Sequence, residues 1–165
     1  MAPDGKAIMK LRQTLKFVAA VAATTALMLF STSPASAAGE WQTYKSNSNW
    51  HCGSTSATHV SNNVVFQTCI VVTPDGTKGQ VVLVVSNRGT KDLALKVGMV
   101  QSDELYAGND HVCNVTYFLA GGEARGCFGP TVAFHGCGYY WGNGSLWANA
   151  LEEDSTFPVR YDNCA

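Results

Sequence analysis

Several things are missing from this sequence, and each absence removes a class of protein. Beyond Phe30 no apolar run approaches the roughly 20 residues that a bilayer-spanning helix needs, so stable membrane insertion is not expected. Lys and Arg number 11 against 12 Asp and Glu, and nowhere do they form the basic stripe that sequence-independent nucleic-acid binding requires. The closest cysteines, Cys127 and Cys137, lack the C-x-x-C spacing of a structural zinc site. The acid-rich run Gln101 to His111, with Asp103, Glu104 and Asp110, lacks the D-x-[DN]-x-[DN]-G spacing of a calcium loop and reads as a solvated loop. No metal or other cofactor is therefore expected. There is no G-x-S-x-G elbow, no H-E-x-x-H and no glycine-rich phosphate loop, and no catalytic residue is assigned. His135, Asp110 and a serine could converge in space, but almost any chain of this size offers such a set.

What is present begins with an export signal. Lys6, Lys10, Arg12 and Lys16 form a positive region, Phe17 to Phe30 is an apolar stretch, and Ala35-Ser36-Ala37 is a small-residue cleavage site. Residues 1–37 read as a signal peptide cut between Ala37 and Ala38, leaving residues 38–165 as one secreted, extracellular domain. Removing four basic side chains and Asp4 leaves that domain moderately acidic. The sequons Asn114-Val115-Thr116 and Asn143-Gly144-Ser145 carry no weight in a chain that otherwise reads as bacterial.

All six cysteines, Cys52, Cys69, Cys113, Cys127, Cys137 and Cys164, follow the cleavage site. An even count in an exported chain predicts three disulfides, with fifteen connectivities open. Sequential pairing is the expectation, resting only on three loops of similar modest size, each stabilising by about 3 kcal/mol in the chain-entropy picture.

The chain is organised around Asn63 to Asn87, where two runs rich in β-branched residues flank a Pro74-Asp75-Gly76 turn. Val64, Phe66, Ile70 and Val72 share one face and Val65, Cys69 and Val71 the other; Val81, Leu83 and Val85 likewise oppose Val82 and Val84. Neither strand has a polar face, so the hairpin is expected to be central and covered on both sides. Before it, an edge strand is expected at Trp41 to Lys45, then a loop carrying His51 and His59 as solvated side chains. After it come a turn at Asn87 to Thr90, an alternating strand from Leu93 to Met99, a strand from Val112 to Leu119, and one from Arg125 to Phe134 broken at Gly129-Pro130. Ser145 to Leu151 is read as a strand, although so short a run also suits a helical turn.

The segments VVLVVSNRGTKDLALKVGM and YFLAGGEARGCF resemble the small Ig-like β-sandwich modules of secreted bacterial proteins. In those modules a V-x-V-x-N-x-G strand and turn leads to an alternating strand, and a Leu-Ala-Pro-Gly-Glu loop leads into another. Gly121 stands where such loops usually carry proline. The resemblance covers about fifty residues and implies an antiparallel, all-β, Ig-like sandwich stapled by disulfides, an architecture that carries many functions.

The feature left over is Tyr139, Tyr140, Trp141 and Trp147, gathered among glycines beside Cys137. Exposed aromatic side chains would suit a glycan or an extracellular protein as partner. The structural alternative, and the expectation adopted, is that Trp141 covers the Val82 and Val84 surface, leaving Tyr139 and Tyr140 more accessible. A non-catalytic binding module for glycan, cell wall or protein is the function that fits export, small size and these aromatics. A secreted inhibitor of an extracellular peptidase is the second reading.

Overall fold

The computed structural model describes residues 39–58, 60–149 and 153–164; the cleavage site at Ala37 and Ala38, and His59, lie outside them. The described residues form an all-β, antiparallel fold of two sheets. In chain order the strands are β1 (Trp50–Cys52), β2 (Ser56–Ala57), β3 (Val64–Val72), β4 (Lys78–Asn87), β5 (Leu93–Gln101), β6 (His111–Cys113), β7 (Tyr117–Leu119), β8 (Ala124–Phe128), β9 (Val132–Ala133), β10 (Tyr139–Ala148), β11 (Glu153–Ser155) and β12 (Val159–Asp162). A helical turn, α1 (Asp103–Tyr106), follows β5. The first sheet runs β1-β3-β4-β8, with β2 also on β3 and β9 also on β4. The second runs β11-β10-β5-β6, with β12 also on β10 and β7 also on β5.

The hairpin is β3 and β4, in register from Val64 opposite Asn87 to Val72 opposite Gly79. Both strands are interior to their sheet, as the lack of a polar face implied. Phe66, Ile70, Val81, Leu83 and Val85 point into the core between the sheets, where Leu95, Leu119 and Leu146 meet them. Cys69, Val82 and Val84 point the other way and are buried under Tyr44, Trp50, Val71 and Phe128.

Three disulfides pair in sequence order. Cys52–Cys69 joins directly opposed residues of β1 and β3. Cys113–Cys127 crosses the core from β6 to β8, so it ties one sheet to the other, with both sulfurs' residues buried. Cys137–Cys164 fixes the C-terminal end against the entry to β10.

Apart from the Trp41 indole nitrogen, the buried side-chain polar atoms of the described residues find partners. Asn87 is 2% exposed; its side-chain nitrogen donates to the carbonyls of Lys91 and Leu119, and its oxygen accepts from the Gly89 N–H. That satisfies the whole amide and pins the turn after β4.

Six details differ from the sequence reading. Trp41 to Lys45 is not a strand: only Gln42 bridges to the sheet, at Gly126, because Trp41 turns inward to lie over Gly98, where a Cβ would sit 2.5 Å from the indole. The following segment is not all loop, since β1 and β2 pair with β3, and His51 packs its ring 4.6 Å from that of Tyr161. The alternation of β5 breaks at Lys96, an extra residue between Leu95 and Val97, whose partners Ala148 and Trp147 are adjacent. This bulge swaps the inward set from Leu93 and Leu95 to Gly98 and Val100. The acid-rich run is not simply a solvated loop: α1, capped by Ser102, inserts Leu105 and Tyr106 into the core. Val112 to Leu119 is two strands, β6 and β7, parted at Asn114-Val115-Thr116. Finally, β10 begins at Tyr139 rather than Ser145 and runs through Gly142 and Gly144; residues 150 and 151, the end of the expected strand, lie outside the described ones.

The glycines of β10 are there because the hairpin is bulky. A Cβ on Gly144 would lie 2.5 Å from the Thr68 hydroxyl and 3.0 Å from Leu83, and one on Gly142 would lie 3.0 Å from Val81. The second sheet gives up side-chain volume where the first supplies it, which keeps the interior at crystal-like density.

Candidate functional site

Successive side chains of a strand point to opposite faces, so β10 divides its aromatic residues. Tyr140 turns inward and is 4% exposed, packed on Phe134 with ring centroids 4.5 Å apart, its hydroxyl donating to the Gly136 carbonyl. Tyr139 and Trp141 turn outward and are 53% and 42% exposed. Trp147 is half-buried farther along the strand, opposite Val97 of β5. Of the four aromatics selected from sequence, only Tyr139 and Trp141 come together on the surface.

Two expectations are thereby overturned. Trp141 does not cover Val82 and Val84: those valines face outward from the first sheet, whereas β10 belongs to the second, and Tyr44, Trp50 and Phe128 cover them instead. Tyr140 is not accessible, because it lies one residue out of phase with its exposed neighbours. The alternation rule applied to Tyr139-Tyr140-Trp141 was the signal that separates them.

Strand β12 supplies a residue the sequence reading missed. Its V-R-Y-D stretch places Val159 inward, 4% exposed, and Arg160 outward. Arg160 is the register partner of Trp141, and its guanidinium carbon lies 4.4 Å from the Tyr139 ring centroid and 5.7 Å from that of Trp141. Each exposed cation–π contact is worth about 0.5–1 kcal/mol, enough to hold the three side chains in one arrangement while leaving their outer surfaces in solvent. Thr156 locks this edge in place: its N–H donates to the Gly144 carbonyl, and its hydroxyl lies 2.7 Å from that of Thr68.

Beside Trp141 the surface falls into a cleft of about 360 Å³, whose lining includes Ser102, Asp103, Glu104, Asp110, Trp141 and Asn143. The α1 turn positions one wall. Ser102 accepts from the Leu105 N–H, Glu104 accepts from the Trp141 N–H at 3.3 Å, and Gln101 donates to Asp110 at 2.7 Å. Beneath α1, the Tyr106 hydroxyl accepts from the Val81 N–H at 2.8 Å and donates to the Pro130 carbonyl. Burial pushes that phenol up to about 12, so it is a neutral structural group and not an acid for catalysis.

The cleft thus has one aromatic wall and three carboxylates, a field that favours positive charge. Asp110 lines it and His135 does not. Among the described residues, no group of three or more His, Cys, Asp or Glu side chains is placed to hold a metal ion. No protein-family model matches this chain, and no curated protein matches it either.

Proposed function

We propose that this chain is a secreted, non-catalytic binding module that engages an extracellular protein through the Tyr139–Arg160–Trp141 face. One observation carries the reading: two large aromatics and an arginine are held together on the outside of a well-packed sheet, where they fill no cavity in the core. Trp, Tyr and Arg are the side chains that dominate binding energy when a partner desolvates them. The acidic cleft next to Trp141 adds a place for a basic side chain of that partner. Three disulfides suit the oxidising extracellular setting the export signal implies, and no helix among the described residues is long and apolar enough to cross a membrane. The peptidase-inhibitor reading would call for an exposed, extended, disulfide-braced loop. Two of the three bridges instead join strands within or between the sheets, and the aromatic face favours the binding module.

The test is binding of the labelled mature chain to intact cells of the producing organism, to protease-stripped cells and to glycosidase-stripped cells. Binding lost on protease treatment, and weakened tenfold or more by both Trp141→Ala and Arg160→Ala, is the expected result; tenfold corresponds to about 1.4 kcal/mol. Binding that survives protease, or that neither substitution touches, contradicts the proposal.

A further inference from the structure

We propose a second binding site, on the outer face of the first sheet, which takes a neutral oligosaccharide. It stands independently of the protein-binding face, because it lies on the other sheet and shares no residue with it.

Strand register builds the site. Trp50, Val71 and Gln80 are successive partners across β1, β3 and β4, and Cys52, Cys69, Val82 and Phe128 form the adjoining row across β1, β3, β4 and β8. Side chains in register share a face, so Trp50 and Phe128 stand over the outward valines. Phe128 lies against Gly126, where a Cβ would be 2.7 Å from the ring, and Gly126 is also where Gln42 bridges to the sheet through two backbone hydrogen bonds of 2.9 and 2.8 Å. That bridge carries the chain from Gln42 onward alongside the sheet and brings Tyr44 to Trp50, ring centroids 5.3 Å apart. Phe128 meets Trp50 edge-on at 6.2 Å.

The three rings have one evident structural duty, which is to cover Cys69, Val82 and Val84. Each nevertheless remains half-buried rather than buried, and above them lies a groove of about 750 Å³. That volume falls within the roughly 300–1,000 Å³ of ligand clefts.

The lining chooses the ligand class. Around the rings stand the amides of Gln42, Asn47, Asn49 and Gln80 and the hydroxyl of Thr131, with Lys45 the single charged residue and no carboxylate. Two of the amides are already oriented: Asn47 accepts from the Asn49 N–H at 2.9 Å, and Gln80 accepts from the Thr131 hydroxyl at 3.0 Å. A site of this kind offers flat apolar faces and neutral donors and acceptors, with the one exposed lysine at its edge as its sole charge and no acid to hold a cation. A pyranose matches both halves, with C–H faces for the rings and hydroxyls for the amides. The contrast with the three-carboxylate cleft beside Trp141 is one of charge as well as position.

Affinity electrophoresis of the mature chain tests this, through gels containing a soluble β-glucan, a xylan or a galactomannan, with polygalacturonate as the charged control. Retardation by at least one neutral polysaccharide, stronger than that by polygalacturonate, is expected. Gln80→Ala should weaken the retardation about fivefold with an unchanged melting midpoint, the loss of one or two hydrogen bonds to ligand. Trp50→Phe, which keeps a cover over the valines but shrinks the stacking face, should also weaken it, and Trp141→Ala should leave it intact. Absence of retardation in all three neutral gels, equal retardation of Gln80→Ala and wild type, or loss through Trp141→Ala would each overturn the inference.

Discussion

The hairpin β3–β4 and the strand β10 occupy equivalent positions, each interior to its sheet and each facing the other across the core, yet they are written in opposite ways. The hairpin is dense with Val, Ile, Leu and Phe; β10 reads YYWGNGSLWA, with glycine at two of its inward positions. The difference teaches that inward volume is shared between sheets. Where Leu83, Val81 and Thr68 reach across, β10 has no side chain to meet them. Large inward residues make a strand readable by itself, whereas small ones make sense only beside the partner that fills their space.

Breaking the dense side should cost more than filling the sparse one. Leu83→Ala removes a fully buried side chain and should lower stability by about 2–5 kcal/mol in denaturant melts, because the cavity cannot close against a glycine strand. Filling the sparse side should cost somewhat less: Gly144→Ala forces its new methyl against Thr68 and Leu83, for about 1–3 kcal/mol. In the double variant the two losses should not add, since Leu83→Ala vacates part of the space the methyl needs. Strict additivity would mean that the two sheets do not share that volume.

An effect of similar size is expected where α1 reaches under β4. Tyr106→Phe keeps the ring but strands the Val81 N–H, and should cost about 1–3 kcal/mol by thermal or denaturant melts, with no change in the aromatic packing. The smallest concerns the hairpin's own turn. The Thr73 hydroxyl, and then the Thr77 N–H, hold Asp75 down to about 2 from its ordinary 3.8. A carboxyl depressed in the folded state contributes stability that is present above the unfolded value and lost as pH falls through the folded one. Between pH 4 and pH 2, therefore, wild type should lose slightly more melting temperature than Asp75→Asn, the other carboxyls being common to both.

The same contrast explains how much could be read from the sequence. The hairpin, its turn and its two covered faces followed from β-branched runs around Pro74-Asp75-Gly76, because strong local preferences and burial agreed there. The all-β class followed from the same kind of signal, and the three disulfides from an even cysteine count beyond an export signal. The bulge at Lys96 was not legible, since nothing in Leu93 to Met99 marks which residue will be skipped by β10. Nor was α1, where a polar surface hides the inward Leu105 and Tyr106. The candidate site was half legible: Tyr139 and Trp141 were selected, but Arg160 enters through register with a strand nineteen positions away, and Trp141 was assigned to valines on the wrong sheet. Tyr44, Trp50 and Phe128, which do cover those valines, come from three separate segments.

The account rests on β10 having a structural inner face and a binding outer face, and adjacent residues test it. Denaturant melts of Tyr140→Ala and Trp141→Ala, disulfides intact, should differ sharply. Tyr140→Ala is expected to lose about 3–5 kcal/mol as a buried ring is deleted, and Trp141→Ala about 1 kcal/mol, the share of its contact with Arg160. Equal losses for the two would make Trp141 a structural residue and contradict the assignment of the Tyr139–Arg160–Trp141 face to a partner.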